Sequence, residues 1–505
     1  MSDFLVVGGG SAGIVLTRRL LDAGKTVTLV EAGLRDPNPD IDHLYNLGKL
    51  WHSEQDWDYY TVPQKGAHGR RLHLPRGKVL GGSHALNACI WVRGDSADYD
   101  AWEEMGNSSW GWSDVLPFFK KIENFDGGAS ATRGGDGLLD VRENFRRNPL
   151  QESMVEAAQQ AGHTLNPDYN SGDVEGISRM QLNLRDGERF NVWHAYLRPV
   201  ADHKNLTLIT DARVEKVLFD GNRAKGVLLH QEGEPQELLA DTVILSAGAL
   251  GSPEILLRSG VGPRAELEQL GIEVVADILG VGKNLHDHLL APVIFTTDRP
   301  IPALEDAPAE VHLFAKSSPA HAVPDTQPIF FSVPMYSQDY GQGQMEGPAE
   351  AFTLMAGIVR PVSRGELKLT GASLADSVTV DLAALSEDED IDALVASIKQ
   401  CREISNQQAL AGEWGAQEIW PGTSVHSDEE LKAYARDAVV TYHHQVGTCA
   451  MGKGPESVVD SNNLAVHGVE NLHVIDASVM PVIPTGNTNA PTIMIAEKVV
   501  ETLVG

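Results

Sequence analysis

The 505-residue sequence contains only three cysteines, Cys89, Cys401 and Cys449, too few and too scattered for a disulfide framework or a cysteine-built metal cluster. A reducing cytoplasm is the expected location. The sequence also lacks an uninterrupted apolar run of about 18 residues, so no bilayer-spanning helix is expected. No charged region followed by a short apolar one precedes the first strand pattern, which begins almost at Met1. Positive charge is the scarcer sign: 40 Lys and Arg against 70 Asp and Glu leave a net charge of -30. No basic patch stands out to neutralise phosphates, which excludes nucleic acid as an expected partner. An acidic surface keeps a protein soluble or draws in a cationic substrate. His286-Asp287-His288 brings two histidines close, but it has neither the further ligands nor the spacing of a zinc centre, and no metal is expected.

The chain is organised around its first 33 residues. Phe4 to Val7 form an apolar run, Gly8, Gly10 and Gly13 follow as G-x-G-x-x-G, and Ile14, Leu16, Leu20 and Leu21 recur at helical spacing. A second apolar strand, 27–30, ends at Glu31, about 20 residues beyond the glycines, where a ribose hydroxyl acceptor belongs. This is a βαβ dinucleotide cradle. Glycines let the backbone approach a pyrophosphate, and the free N–H groups and positive dipole end of the helix hold it. Glu31 suits the adenosine ribose of FAD or of NAD, so the motif does not separate the two.

Three more stretches carry information. Residues 77–94, from Gly77-Lys78-Val79-Leu80-Gly81-Gly82-Ser83-His84 through Asn87-Ala88-Cys89-Ile90, form a second glycine-rich loop suited to lie against a flat ring or a phosphate. Residues 248–262, Gly-Ala-Leu-Gly-Ser-Pro-Glu-Ile-Leu-Leu-Arg-Ser-Gly-Val-Gly, read as a turn into a helix with Pro253 early in it. Tyr442-His443-His444-Gln445-Val446-Gly447-Thr448 and Gly486-Asn487-Thr488-Asn489-Ala490-Pro491 lie near the far end. With the cradle, these stretches resemble the glucose-methanol-choline (GMC) oxidoreductases, FAD enzymes that oxidise alcohols, over almost the whole chain.

The resemblance implies an α/β fold: a Rossmann-like FAD-binding domain assembled discontinuously from 1–145, 195–290 and 436–505, and a substrate domain of 146–194 and 291–435 built on an antiparallel sheet with helices. FAD contacts are implied for Gly8, Gly10, Ser11, Ala12, Gly13, Glu31, Ala32, Gly81, Asn87, Ala88, Cys89, Ile90, Val214, Asp476 and Ala477. The active-site histidine, three residues before the Gly-Thr pair, falls on His444, and Asn489 is implied as its partner at the substrate oxygen. Asn489 could equally be a simple helix cap. A neutral imidazole is suited to withdraw the hydroxyl proton as hydride leaves for flavin N5. The product is an aldehyde from a primary alcohol, with O2 or another electron acceptor reoxidising the flavin.

Glu310 and His443 are candidate substrate contacts, and each also has an ordinary reading as a solvated strand carboxylate and a backbone-satisfied neighbour. His84 departs from the small residue usual in its loop, while Leu86 occupies the place at which a covalently attaching member has histidine, so non-covalent FAD is expected. An NAD-dependent dehydrogenase, a GMC-fold lyase or decarboxylase, and an inactive flavin-binding scaffold are the competing readings.

Overall fold

Parallel strands buried on both faces need continuous apolar runs, and the first strands have them. In the computed structural model, which describes residues 2–35, 38–303, 306–338, 340–341 and 343–504, β1 (Ser2–Val7), α1 (Ser11–Asp22) and β2 (Val27–Val30) form the opening unit. Then come α2 (Pro149–Gln160), β3 (Gly176–Arg179), β4 (Leu206–Ile209), β5 (Ala212–Asp220), β6 (Arg223–Gln231), β7 (Glu234–Leu245) and α3 (Gly248–Arg258). β8 (Leu289–Thr296), β9 (Ala309–Phe314), β10 (Ile329–Phe331), β11 (Ala351–Ile358), α4 (Asp388–Ser405) and β12 (Gln417–Trp420) follow. α5 (Asp428–Ala438), β13 (Val440–Thr441), β14 (Leu472–Val474) and α6 (Asn489–Val504) lie nearest the C-terminus.

Two large sheets result. In the first, β2 and β7 flank β1, β4 lies outside β2, and β14 pairs β7, all in parallel. β7 has two halves because its sequence does. Its exposed first half completes an antiparallel meander with β5 and β6, whereas Val243, Ile244 and Leu245 are fully buried in the parallel sheet. Asp220 and Arg223 pair at the tight end of the β5–β6 hairpin, with Gly221 in the turn between them. The second sheet runs β12-β8-β11-β10-β9-β3 and is antiparallel throughout, with β13 paired to the start of β8.

The two ends of the chain meet. α1 packs against α6, and the Arg19 guanidinium lies 2.8 Å from the fully buried Glu497 carboxylate. β14 and α6 thereby bring residues from the last forty positions onto the sheet begun by the first seven. The expected α/β architecture with an antiparallel second sheet is the one observed.

Candidate active site

Ligands of open parallel sheets bind outside the carboxyl ends of the strands. Here β1 ends at Val7, β2 at Val30 and β7 just before Ser246, and all three residues line one cavity of about 500 Å³. Gly13 is what lets α1 begin there. A Cβ on it would fall 1.9 Å from the Gly8 carbonyl oxygen, so no other residue permits helix and turn to pack this closely. α1 has no side-chain cap and no acid in its first turn, leaving its N–H groups at Ser11 and Ala12 open to the cavity. Gly82 faces Gly10 across a narrow neck, where a Cβ on Gly82 would come within 2.6 Å of the Gly10 Cα. Bare backbone on both sides, beside an uncapped helix, fits a dinucleotide pyrophosphate.

Glu31 lines the cavity with Ala32, and its carboxylate also accepts from the Gly9 N–H at 2.7 Å and the Gly33 N–H at 2.8 Å. It therefore fastens the glycine turn to the end of β2 besides facing the ligand space. Burial pushes its carboxyl up to about 7. Asp476 accepts from the Gly248 N–H at 2.9 Å and the Ser478 N–H at 2.8 Å, fixing the start of α3. Asp476, Ala477, Val214, Asn87, Ala88 and Ile90 all line the cavity, as do Gly8 and Gly10.

Gly13, Gly81 and Cys89, expected as cofactor contacts, stand behind the wall. Gly13 is covered by the Gly8 carbonyl, Gly81 N–H donates to the Gly9 oxygen at 2.8 Å, and the Cys89 thiol takes a contact from Arg189 at 3.1 Å. These three shape the cradle through packing. His84 is likewise buried behind it, whereas Leu86 lines it.

The other end of the cavity is built by histidines. The 286–288 segment meets the 443–446 segment edge to edge, so that the Asp287 carboxylate accepts the His444 N–H at 2.7 Å and also the Gln445 amide. The His444 ring is held at both nitrogens. Nδ1 is 3.0 Å from His288 Nδ1, and Nε2 is 3.2 Å from Asn487 Nδ2. Burial, reinforced by His288, His443 and Arg76, holds His444 well below the usual imidazole value, so it is neutral at ordinary pH. Burial raises Asp287 to about 7. Arg76 lines the same end and donates to the His443 carbonyl.

Asn487, and not Asn489, meets the His444 ring. The Asn489 Oδ1 instead accepts from the Ser11 hydroxyl at 2.7 Å, joining the starts of α6 and α1 at the cavity wall. The sequence offered G-N-T-N with two asparagines, and only the extended lead-in to α6 turns the first toward His444. Glu310 is also elsewhere: it lies outside the cavity and accepts the Asn148 N–H at 2.8 Å beneath the start of α2. His443 does line the cavity, its Nδ1 bonded to Thr441 Oγ1 at 2.7 Å and its ring edge-on to Trp51. Among the described residues, His52, Asp58 and His73 gather ligand-type atoms within 4.8 Å of one another, and the His52–Asp58 hydrogen bond of 2.7 Å accounts for part of that closeness.

Family models described as GMC oxidoreductase match residues 2–290 and 361–496. The chain belongs to the GMC oxidoreductase family. It is 39% identical to an alcohol dehydrogenase [acceptor] of Pseudomonas putida, covering 100% of this chain and 96% of that one. It is 38% identical to the mitochondrial choline dehydrogenase of Homo sapiens, covering 100% and 90%. Its backbone superposes on pyridoxine 4-oxidase from Mesorbium loti with a TM-score of 0.94 at 34% identity, over 99% of each chain. This GMC oxidoreductase is accordingly an FAD-dependent enzyme acting on CH–OH groups. The choice between FAD and NAD, open at the glycine motif, falls to FAD. Among the described residues, no helix is long and apolar enough to cross a membrane.

Proposed function

We propose that this GMC oxidoreductase converts an uncharged, largely apolar primary alcohol to its aldehyde, with His444 as the base and Asn487 orienting the substrate oxygen. The observation that carries the reading is the pair itself: His444 Nε2 and Asn487 Nδ2 lie 3.2 Å apart at one end of the cavity. One alcohol oxygen reaches both at ordinary hydrogen-bond length, giving its proton to Nε2 and accepting from Nδ2. Neutrality of His444 at ordinary pH supports the base role. Arg76 favours the alkoxide charge that develops as the proton leaves. Non-covalently bound FAD, held by the glycine turn, Glu31 and the 476–477 segment, would supply the hydride acceptor, with O2 or another acceptor as the final oxidant.

The preference for an uncharged substrate comes from the wall. Leu290, Pro292, Ile329, Phe331, Met355 and Tyr442 line the histidine end, and among the described residues the lining carboxylates Glu31, Glu254 and Asp476 belong to the cradle end instead. With Glu310 outside the cavity, a choline-like cation has aromatic faces to meet but no carboxylate there.

The test is anaerobic mixing of the holoenzyme with a panel of aryl, alkyl and quaternary-ammonium alcohols, following flavin absorbance, then admitting air. The His444→Asn and Asn487→Ala variants are expected to reduce flavin at least about 100-fold and 10-fold more slowly, with FAD still bound. Wild-type rates in His444→Asn would sink the assignment, and flavin that stays with acid-precipitated protein would sink non-covalent binding.

A further inference from the structure

His444 is neutral, so its ring carries one proton, and which nitrogen holds it decides whether Nε2 can act as a base. We propose that His288 is a positioning residue that keeps this proton on His444 Nδ1, leaving Nε2 bare toward the cavity. The proposal deepens the base reading of His444 and rests on it.

Two neutral imidazoles whose Nδ1 atoms lie 3.0 Å apart share one hydrogen bond, in which one donates and the other accepts. The surroundings of His288 decide the direction. Its other nitrogen, Nε2, is buried without a well-formed hydrogen bond, and the backbone at Val359 and Pro484 favours a proton on the His288 ring, as acceptor carbonyls do, with Nδ1 already taken by His444. A proton on His288 Nε2 suits those oxygens, whereas a bare lone pair there would be repelled. With its single proton on Nε2, His288 must accept at Nδ1, and His444 must donate from Nδ1.

The far side of His444 agrees. Its Nε2 faces the Asn487 Nδ2, a donor, which needs a lone pair to meet. His286, two residues before His288, is held in a comparable way: Nδ1 donates to the Asn284 oxygen at 2.6 Å, and Nε2 accepts from the Ile483 N–H at 3.0 Å.

The position of His288 permits nothing looser. It is fully buried, its ring stands at 90° to that of His444 with centroids 5.2 Å apart, and the preceding Asp287 holds the His444 backbone. Among the described residues, the charged and titratable groups nearest its ring are His286, Arg360, Tyr442 and His444, while the neighbouring Asp287 carboxylate is engaged by the backbone N–H groups of His444 and His288 and by the Gln445 amide. A carboxylate in this place would draw His444 toward its protonated, useless form at rest. A neutral acceptor orients the ring without doing so. When His444 takes the alcohol proton at Nε2, the Nδ1–H bond to His288 remains in place and strengthens as the ring becomes charged.

The experiment uses holoenzyme and a reducing alcohol chosen from the panel above. His288→Leu fills similar volume without an acceptor; His288→Asn can place its amide oxygen near the former Nδ1. The leucine variant is expected to lower the limiting rate of flavin reduction at least about 10-fold, because free imidazole favours the wrong tautomer and loses orientation. Its substrate dissociation constant and FAD content should be unchanged, and the loss should persist at every pH above the acid limb. The asparagine variant should recover much of the rate. If leucine reduces at the wild-type rate, or if asparagine is no faster than leucine at equal FAD content, the proposal is overturned. Should the leucine variant lose FAD, His288→Ala serves in its place under the same criteria. A slow His444→Asn beside a fast His288→Leu removes this proposal alone, whereas a fast His444→Asn removes the base reading beneath it.

Discussion

Asn487 and Asn489 are two positions apart, identical in chemistry, and end in different jobs. Asn487 lies in the extended lead-in and reaches His444, while Asn489 opens α6 and is spent on Ser11. Composition and spacing carry no information on which way each amide turns, because the decision is made by α6 docking on α1. Glu310 shows the same limit. As a carboxylate before an apolar strand it passes for a substrate contact, yet it is 2% exposed and holds the Asn148 N–H at the start of α2. Glu310→Ala should therefore leave the KM for the alcohol unchanged and cost about 1–3 kcal/mol through the unsatisfied buried N–H, read by denaturant unfolding. His444, in contrast, is singled out by the family resemblance of the segment ending in Gly447-Thr448, and the structure places it at the cavity beside Asn487. His288 was seen only as part of an H-x-H pair, since its partner lies 156 positions away.

At the level of elements, the glycine turn, α1 and β2 follow the sequence pattern closely, as does α3 with Pro253 early in it. Local signals suffice there: a change of hydrophobic period, glycines at a turn, a proline early in a helix. The sequence motif presents the glycines of the cradle as one group facing the pyrophosphate, and the structure divides them. Gly10 and Gly82 leave room at the neck, whereas Gly13 lets α1 press on the turn. Gly13→Ala should accordingly destabilise the holoenzyme by about 1–3 kcal/mol by overpacking, and purified protein should lose yellow colour in proportion. Thermal unfolding and the flavin-to-protein absorbance ratio check both. Full flavin retention with an unchanged melting temperature would mean that the turn yields more readily than its contacts indicate.

For the whole molecule, acid is the sensitive direction. His84, His286, His288 and His312 are each pushed down to about 3 by burial, and His443 and His444 lie well below 6.5. Folded, they bind no proton at pH 5, but unfolded, with pKa about 6.5, each binds one. Glu31, Asp287 and Glu310, pushed up to about 7 by burial, act oppositely by holding protons that the unfolded chain releases above about pH 4. Six histidines outweigh three carboxyls, so the unfolded state binds more protons between about pH 4.5 and 6.5, and stability falls as pH drops through that window. The melting temperature of the holoenzyme should decline steadily from pH 7 to pH 5; a flat profile would contradict it. One further consequence belongs to this scale. The Ser11–Asn489 bond joins residues 478 positions apart, and Arg19–Glu497 repeats the closure further along the same two helices. A chain still emerging from the ribosome thus owns the glycine turn but not the wall opposite it. Active enzyme is therefore expected only once α6 has docked on α1, and a supply of free cofactor during translation should not bring forward the first active molecule.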